Sequence, residues 1–477
     1  MGACADETSK MTGTYDPTTF RALSFHDVTE HFRQGSDTPR EYLERCLDAI
    51  STREPTIRAY VSRNEDGART AADASSERWR AGQPLSAIDG MPVSIKDLLE
   101  TRDMPTQMGC EAYTGNFPRR DNAAVWALRE AGAVVLGKTV TAELGGAHPG
   151  PTTNPFDVTR TPGGSSSGSA AAVAAQMVPA AIGTQVGGSI IRPSGYCGNV
   201  ALKPTQGGIN RGERQATSMS THGVHAGNIE DMWRVAAEIV ARVGGDRGCA
   251  GLQGPLTAPP AQRPQRLLVL ETEGWSRLDD SSRKTFEQLL EALGRLGIEL
   301  VARDDHPLLE ALEQSVADAS NVAGAITAWE NQWATRNLVD LHPEGVSERA
   351  KRALTLADSM SFADYRALLV QREQAQSAHR ALAGAANGAI SLSCPGPAPL
   401  WSGDVPGEPL TARPTGDAVF NYPTSLLFAP CVSMPLMAVD GMPVGVQLIG
   451  QQHDDARMAA HARWLLEHVQ PMIARSD

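Results

Sequence analysis

Apolar residues recur first at helical spacing and then in short buried runs separated by helical segments. Helical spacing dominates residues 24–81, where Thr38-Pro39-Arg40-Glu41 has the residue types of a helix start. From Met91 onward we predict strand Met91–Ile95 ending at Lys96, helix Asn122–Glu130 and strand Ala133–Leu136. This alternation predicts an α/β fold around a parallel or mixed sheet.

The second half continues the alternation with longer interruptions. We predict, in order, a surface connection (Gly244–Gln265), a strand (Arg266–Leu270), a helix (Ser282–Leu296), helical segments over about 306–337 and 361–384, an irregular Pro/Gly-rich stretch (Cys394–Gly416), a strand (Val444–Ile449) and a closing helix (Asp454–Val469). An irregular stretch of this length is often a lid over a site. Since no internal repeat is found, one large domain is favoured over two.

The composition of the chain argues against several classes of function. With 43 basic and 55 acidic side chains the formal net charge is −12, which argues against a nucleic-acid partner. The 7 cysteines are scattered without a CxxC pair, so neither a disulfide framework nor a zinc cluster is expected. The sequence contains neither a secretory signal nor an apolar run long enough for a membrane span. We therefore expect a reduced, cytoplasmic protein with no membrane segment.

Two segments rich in glycine and serine carry the candidate chemistry: Thr161–Ala175 and Gly183–Pro193. Glycine lets the backbone approach a ligand closely, and neighbouring glycine N–H groups can converge on one oxygen, as an oxyanion hole requires. A flexible linker would not run into the helix-like Ala170–Ala175, and the phosphate-binding patterns GxxxxGK[ST] and GxGxxG are absent. These observations favour acyl transfer by a serine.

One local pattern leaves the choice of serine open. Gly164–Gly168 reads Gly-Ser-Ser-Ser-Gly and matches GxSxG, the nucleophile elbow of α/β-hydrolases. That scheme needs an acidic residue and then a histidine downstream. Both residue types are plentiful there, so position along the chain does not exclude it.

The two serine segments together resemble those of the amidase signature family, in which GGSS[GS]G and a later GGS carry a Ser–cisSer–Lys triad. Lys96, in Pro-Val-Ser-Ile-Lys-Asp, resembles the catalytic lysine of that family at a strand end. Asn154-Pro155 and Arg160-Thr161-Pro162 precede the glycine pair as they do in relatives, and Gly441–Gly450 resembles the closing strand. The resemblance covers about residues 25–468.

The resemblance implies the amidase signature fold, a large mixed central β-sheet covered by helices on both faces. It also implies a single amidase domain over residues 1–477. Its parts would be a loose N-terminal arm (1–23), an N-terminal helical part (24–81), the signature core (82–250), a variable part around the substrate pocket (251–415) and a C-terminal return to the core (416–477).

The resemblance also implies roles for individual residues. Ser189 would be the nucleophile and Ser165, after a cis Gly164–Ser165 peptide, the bridging serine. Lys96 would be the base, which must be buried and neutral to accept a proton. Ser166 would support this relay. The backbone of three further residues would form the oxyanion hole: Val186, Gly187 and Gly188. No metal and no organic cofactor is implied.

The second glycine segment departs from the usual family pattern. Gln185 stands where most relatives have aspartate, and Ile191 stands where they have arginine, with Arg192 one residue later. This variant is similar to a malonamidase-like branch of the family, in which an arginine three residues after the nucleophile holds an acidic substrate. Two roles for Arg192 stay open: binding a substrate carboxylate or carbonyl, and bonding backbone carbonyls as a structural residue.

Other candidate substrate contacts rest on position in the resemblance. Met108 and Gly109 resemble a loop beside the acyl pocket, and His222 lies where relatives bring a loop near the pocket. A histidine with a purely structural role is the alternative for His222.

The sequence therefore predicts an amidohydrolase that cleaves a linear C–N amide bond of a small molecule. Two alternatives remain: an aryl-amide, phenylurea or ester hydrolase with the same triad, and the ammonia-delivering amidase subunit of a tRNA-dependent amidotransferase. The expected partner is the small-molecule amide itself, with neither nucleic acid nor membrane, and a homodimer is compatible with this interpretation.

Overall fold

The computed structural model describes residues 14–146, 148–213 and 217–475. Its α-helices are α1 (Thr29–Gln34), α2 (Pro39–Ile57), α3 (Glu65–Arg80), α4 (Ala123–Glu130), α5 (Ser167–Ala174), α6 (Ile191–Cys197), α7 (Ile229–Val243), α8 (Asp280–Arg295), α9 (Pro307–Ser315), α10 (Ala319–Leu341), α11 (Glu348–Asp358), α12 (Phe362–Ala381), α13 (Tyr422–Leu426) and α14 (Asp455–His468). Its strands are β1 (Tyr60–Arg63), β2 (Pro92–Lys96), β3 (Val134–Thr139), β4 (Ala180–Gln185), β5 (Val200–Lys203), β6 (Thr221–Ala226), β7 (Arg266–Val269), β8 (Glu299–Val301), β9 (Ala389–Leu392), β10 (Cys431–Val439), β11 (Met442–Ile449) and β12 (Met472–Ala474).

These strands form one mixed sheet in the described chain, in the order β1-β3-β2-β4-β6-β5-β10-β11-β9-β7-β8, with β12 alongside β10. Strands β3, β2 and β4 run parallel, as do β9, β7 and β8, while β4-β6-β5-β10-β11-β9 are antiparallel neighbours. The predicted α/β fold with a large mixed sheet is confirmed. The sheet takes strands from the N-terminal helical part, the signature core, the variable part and the C-terminal return. Because all four parts share one sheet, this supports the proposal of a single domain.

The centre of the sheet is covered on both faces. Every residue of β2, β3 and β4 is buried, which is typical of parallel strands with helices on either side. Helix α5 is also buried along its whole length and is built of Ser, Gly, Ala and Val. A Cβ on Gly168 would lie 2.3 Å from the Ala59 carbonyl oxygen, so only glycine permits this approach.

Several predicted elements are confirmed with their capping residues. The Thr38 side chain accepts a hydrogen bond from the Glu41 N–H at the start of α2, and Asn122 caps α4 in the same way. The irregular stretches 244–265 and 394–416 contain no helix or strand in the structure.

Other predictions need correction. Residues 24–81 are not purely helical, since the short edge strand β1 lies between α2 and α3. The predicted helical segment 306–337 is two helices, α9 and α10, and α11 was not predicted at all.

No helix of the described ranges is long and apolar enough to cross a bilayer.

The expected N-terminal arm is only partly described, because residues 1–13 lie outside the described ranges. In its described part the arm is packed at Tyr15, whereas Thr18, Thr19 and Arg21 are exposed. Tyr15 is 3% exposed, its ring contacts Phe20 and Phe156, and its N–H donates to the Gly441 carbonyl at 2.7 Å. This part of the arm is therefore fixed against the β10–β11 turn.

Candidate active site

The candidate residues meet at one edge of the sheet because adjacent parallel strands end there. Lys96 is the last residue of β2, and its neighbour β4 ends at Gln185. Ser165 and Ser166 directly precede α5, and Ser189 lies two residues before α6. The fold thus brings together three segments that are far apart in the chain.

Lys96 is fully buried among hydroxyl groups. Its Nζ lies 2.7 Å from Ser165 Oγ, 3.0 Å from Ser166 Oγ and 2.9 Å from Thr184 Oγ1. Burial holds the pKa of Lys96 well below its ordinary value, and the positive charge of Arg192 lowers it further. The environment therefore favours the neutral amine, the form in which a lysine can accept a proton.

The Gly164–Ser165 peptide is cis, and its surroundings hold both of its residues. The Ser165 carbonyl accepts the Ala142 N–H at 3.0 Å. Arg192 is 8% exposed, and its guanidinium donates to the Gly164 carbonyl at 2.6 Å and to the Gly416 carbonyl at 2.8 Å. Arg192 thus links the segment before α5 to the chain that precedes α13.

The turn that carries Ser189 is held by side chains from two directions. Gln185 Oε1 accepts the N–H groups of Ile190 at 2.9 Å and Ile191 at 3.0 Å. Ser425 Oγ donates to the Gly187 carbonyl at 2.7 Å. The amide oxygen of Gln185 thus accepts hydrogen bonds from N–H groups at the start of α6 that have no partner within the helix. An aspartate carboxylate could accept the same hydrogen bonds.

The glycine pair in this turn is required by close contacts. A Cβ on Gly187 would lie 2.6 Å from the Tyr422 ring, and one on Gly188 would lie 2.5 Å from Asn421 Oδ1. No described residue accepts a hydrogen bond from the N–H groups of residues 186–189. These groups therefore form a set of free donors beside Ser189.

Ser189 opens onto a cavity of about 550 Å³. Its wall has four sides: the turn 186–189 with Arg192, residues 143–146 and 148, one face of α10 together with α11, and residues 413–422. The α10 residues of the wall recur at helical spacing: Ser320, Gly324, Thr327, Ala328, Asn331, Gln332 and Thr335. The cavity can hold a small molecule with a carbonyl carbon at the Ser189 hydroxyl.

Known proteins resemble this chain in sequence and in fold. A sequence model of the amidase family matches residues 41–458. The chain belongs to the amidase family. A glutamyl-tRNA(Gln) amidotransferase subunit of Chloroflexus aggregans is 31% identical over 89% of this chain and 92% of its own length, and its counterpart of Chloroflexus aurantiacus is 30% identical over the same shares. A crystal structure of an amidase superimposes with a TM-score of 0.79 and 28% identity, over 93% of this chain and 99% of the other.

The amidase fold places the predicted substrate contacts in different surroundings. Of the four, Arg192 lines the cavity. Met108 and Gly109 are not part of its wall; the Met108 carbonyl accepts the N–H of Leu144, which does line the cavity. His222 lines a separate cleft of about 490 Å³. Burial lowers the pKa of His222 to about 3, so its ring is neutral.

The nucleophile-elbow alternative finds no support in the geometry. Ser166, the central serine of GxSxG, is hydrogen-bonded to Lys96 and to the Thr184 carbonyl. Within the described ranges, no histidine forms a hydrogen bond with it. The same ranges contain no group of three or more His, Cys, Asp or Glu side chains placed to hold a metal ion.

Sequence reasoning missed several residues that shape this amidase site. Thr184 holds Lys96, Ser425 holds the Ser189 turn, and Glu143 accepts hydrogen bonds from the N–H and hydroxyl of Ser347 at the start of α11. Ser347 and Ser425 lie more than 200 positions from their partners, so local pattern offers no signal for them. Gln185 was conspicuous as a departure from the family, but its acceptor role was not predicted.

Proposed function

We propose that this amidase hydrolyses a linear C–N amide bond of a small molecule through an acyl-enzyme on Ser189. The observation that carries the proposal is the contact of 2.7 Å between the buried Lys96 amine and Ser165, next to the turn that presents Ser189 to the cavity. The Ser166 N–H donates to the Ser189 carbonyl at 3.3 Å and joins the two serine segments.

In the first half of the reaction, neutral Lys96 takes the Ser165 proton while Ser165 takes the proton of Ser189. The Ser189 oxygen then bonds to the amide carbon, and the carbonyl oxygen becomes an oxyanion. The free N–H groups of residues 186–189 would stabilise that charge. Removal of one such donor typically costs about 10²–10³ in rate.

In the second half, the proton held by Lys96 returns through Ser165 to the leaving nitrogen, and the C–N bond breaks. Ammonia or an amine departs and leaves an ester on Ser189. Water then gives a proton to the same relay and attacks the ester carbon. The carboxylic acid is released and Ser189 regains its proton, so the relay ends as it began.

The test is an activity panel on the purified protein with Ser189→Ala as the inactive variant. Primary aliphatic amides, anilides, phenylureas and esters separate amide cleavage from the aryl-amide, urea and ester alternatives. Ser433→Ala is the matched control, because Ser433 is a buried serine on β10 that bonds Ser393 and does not line the cavity. Turnover that survives Ser189→Ala contradicts the proposal, and an acyl adduct on Ser189 in mass spectra supports it.

A second candidate function follows from the amidotransferase relatives, which match the chain over nearly their whole length. In that role the protein would deliver ammonia to a partner protein. The net charge of −12 offers little attraction for tRNA, so we favour a stand-alone cytoplasmic enzyme, whether monomer or homodimer. Amide turnover by the isolated chain, measured as ammonia release, supports the stand-alone enzyme. Turnover only after a partner is added supports the amidotransferase role.

A further inference from the structure

Four arginines belong to the cavity wall, and three of them already have acceptors. Arg192 donates to backbone carbonyls, as described above. Arg349 donates to both carboxylate oxygens of Asp404, at 2.5 and 3.3 Å, and Arg413 donates to Asp417 at 2.5 Å. These three guanidinium groups are hydrogen-bonded to other protein groups, and they help to form the cavity wall.

The fourth, Arg352, has no such acceptor. It is exposed, lies on α11, and forms neither an ion pair nor a hydrogen bond with any described residue. The two carboxylates of the wall are occupied elsewhere: Glu143 by Ser347, and Asp417 by Arg413 and the Val419 N–H. Arg352 is thus an unopposed positive charge in a cavity of a protein that carries 12 net negative charges.

We infer that Arg352 binds an anionic group, a carboxylate in the simplest case, at the end of the substrate away from the scissile amide. This inference rests on the proposed function and names its substrate class: amides of dicarboxylic acids rather than neutral aliphatic amides. A guanidinium fork matches two carboxylate oxygens. Arg192 is less suited to this role, because both of its terminal nitrogens already donate to the chain.

The experiment compares ω-amic acids of increasing length, from malonamate to adipamate, with neutral primary amides of equal chain length. The wild type should prefer the anionic member of the best pair by about tenfold or more in kcat/KM. Arg352→Gln should remove most of that preference by raising KM. Added salt should also reduce it, because the guanidinium is exposed.

Lys351→Gln is the matched control. Lys351 precedes Arg352 on α11, carries the same charge, pairs with Glu348 at 2.9 Å and does not line the cavity. A preference that survives Lys351→Gln and is lost in Arg352→Gln identifies direct binding. An equal loss in both variants would show a long-range charge effect and overturn the inference.

A wild type that cleaves neutral amides as well as amic acids also overturns the inference, yet leaves the proposed amidase function intact. A wild type that cleaves none of these amides would count against the proposed function instead. In that case the anion site is decided by calorimetric titration of glutarate into Ser189→Ala protein. Binding that disappears with Arg352→Gln supports the site, and absence of binding, or binding indifferent to Arg352→Gln, overturns it.

Discussion

Lys96 Nζ lies 2.7 Å from Ser165 Oγ, and the lysine side chain has no exposed surface. Its other close partners are the hydroxyls of Ser166 and Thr184, and no carboxylate of a described residue forms an ion pair with it. A protonated Lys96 would therefore be a buried cation held only by neutral groups and facing the positive charge of Arg192. The structure thus favours the neutral amine in the resting protein.

The lowered pKa of Lys96 predicts an acid limb in the pH profile. Lys96 is neutral above its folded pKa, so kcat/KM should rise as pH increases through that pKa and be lost as pH falls below it. The midpoint should lie well below about 10.4, the ordinary pKa of lysine. Initial rates measured across pH on a neutral amide would check this, since the charge of such a substrate does not change.

Lys96→Arg provides the sharpest control for this prediction, because a guanidinium stays protonated at every accessible pH. We expect this variant to be inactive throughout the profile. An acid limb that persists in an active Lys96→Arg protein would show that another group titrates.

The contacts of Arg192 predict that its replacement lowers both stability and kcat, whatever the charge of the substrate. Arg192→Leu removes the donors to the carbonyls of Gly164 and Gly416 and leaves both without these partners. We expect the free energy of unfolding in urea to fall by about 1–3 kcal/mol. We also expect kcat to fall by about tenfold to a hundredfold on neutral and acidic amides alike, because Ser165 is displaced. A rise in KM confined to acidic amides would show that Arg192 binds the substrate carboxylate instead.

The sequence predicts those parts of the fold that depend on local chemistry. The helix at Pro39 and the strand ending at Lys96 follow from capping residues and from an apolar run, and both are present. The glycine and serine segments are also candidates for a local reason, since glycine lets the backbone approach a ligand closely. The order of strands in the sheet could not be predicted, since it depends on pairing between distant segments.

The parts of the site that escaped prediction depend on long-range contacts. Helix α11 has few buried residues, and its residues Arg349 and Arg352 line the cavity. The sequence of the helix does not predict that position. Met108 and Gly109 were predicted as substrate contacts from position alone. In the structure they support Leu144 and lie outside the cavity wall. Position in a family resemblance is thus a weak guide to the wall of a cavity.

Ser425 is predicted to matter for rate although it does not line the cavity. Its hydroxyl donates to the Gly187 carbonyl at 2.7 Å and lies 3.3 Å from Gln185 Nε2, so it holds the turn that presents the free N–H groups. Ser425→Ala should lower kcat about tenfold, less than the loss expected for an oxyanion donor itself, with little change in KM. Ser433→Ala should leave kcat unchanged. If the two variants had equal kcat and KM values, Ser425 would not contribute to the position of this turn.

Gly324 is predicted to limit the size of the substrate. It lies within α10 on the cavity wall, and a Cβ built there meets no atom within 4 Å, so a larger side chain would extend into the cavity. Gly324→Leu should not lower stability, because replacing glycine inside a helix gains up to about 1 kcal/mol. It should lower kcat/KM for long amides by about tenfold to a hundredfold relative to acetamide. Gly294→Leu is the matched control, since Gly294 is an exposed helical glycine of α8 with equally open surroundings. If Gly324→Leu reduced the rates on short and long amides equally, the α10 face would not set substrate length.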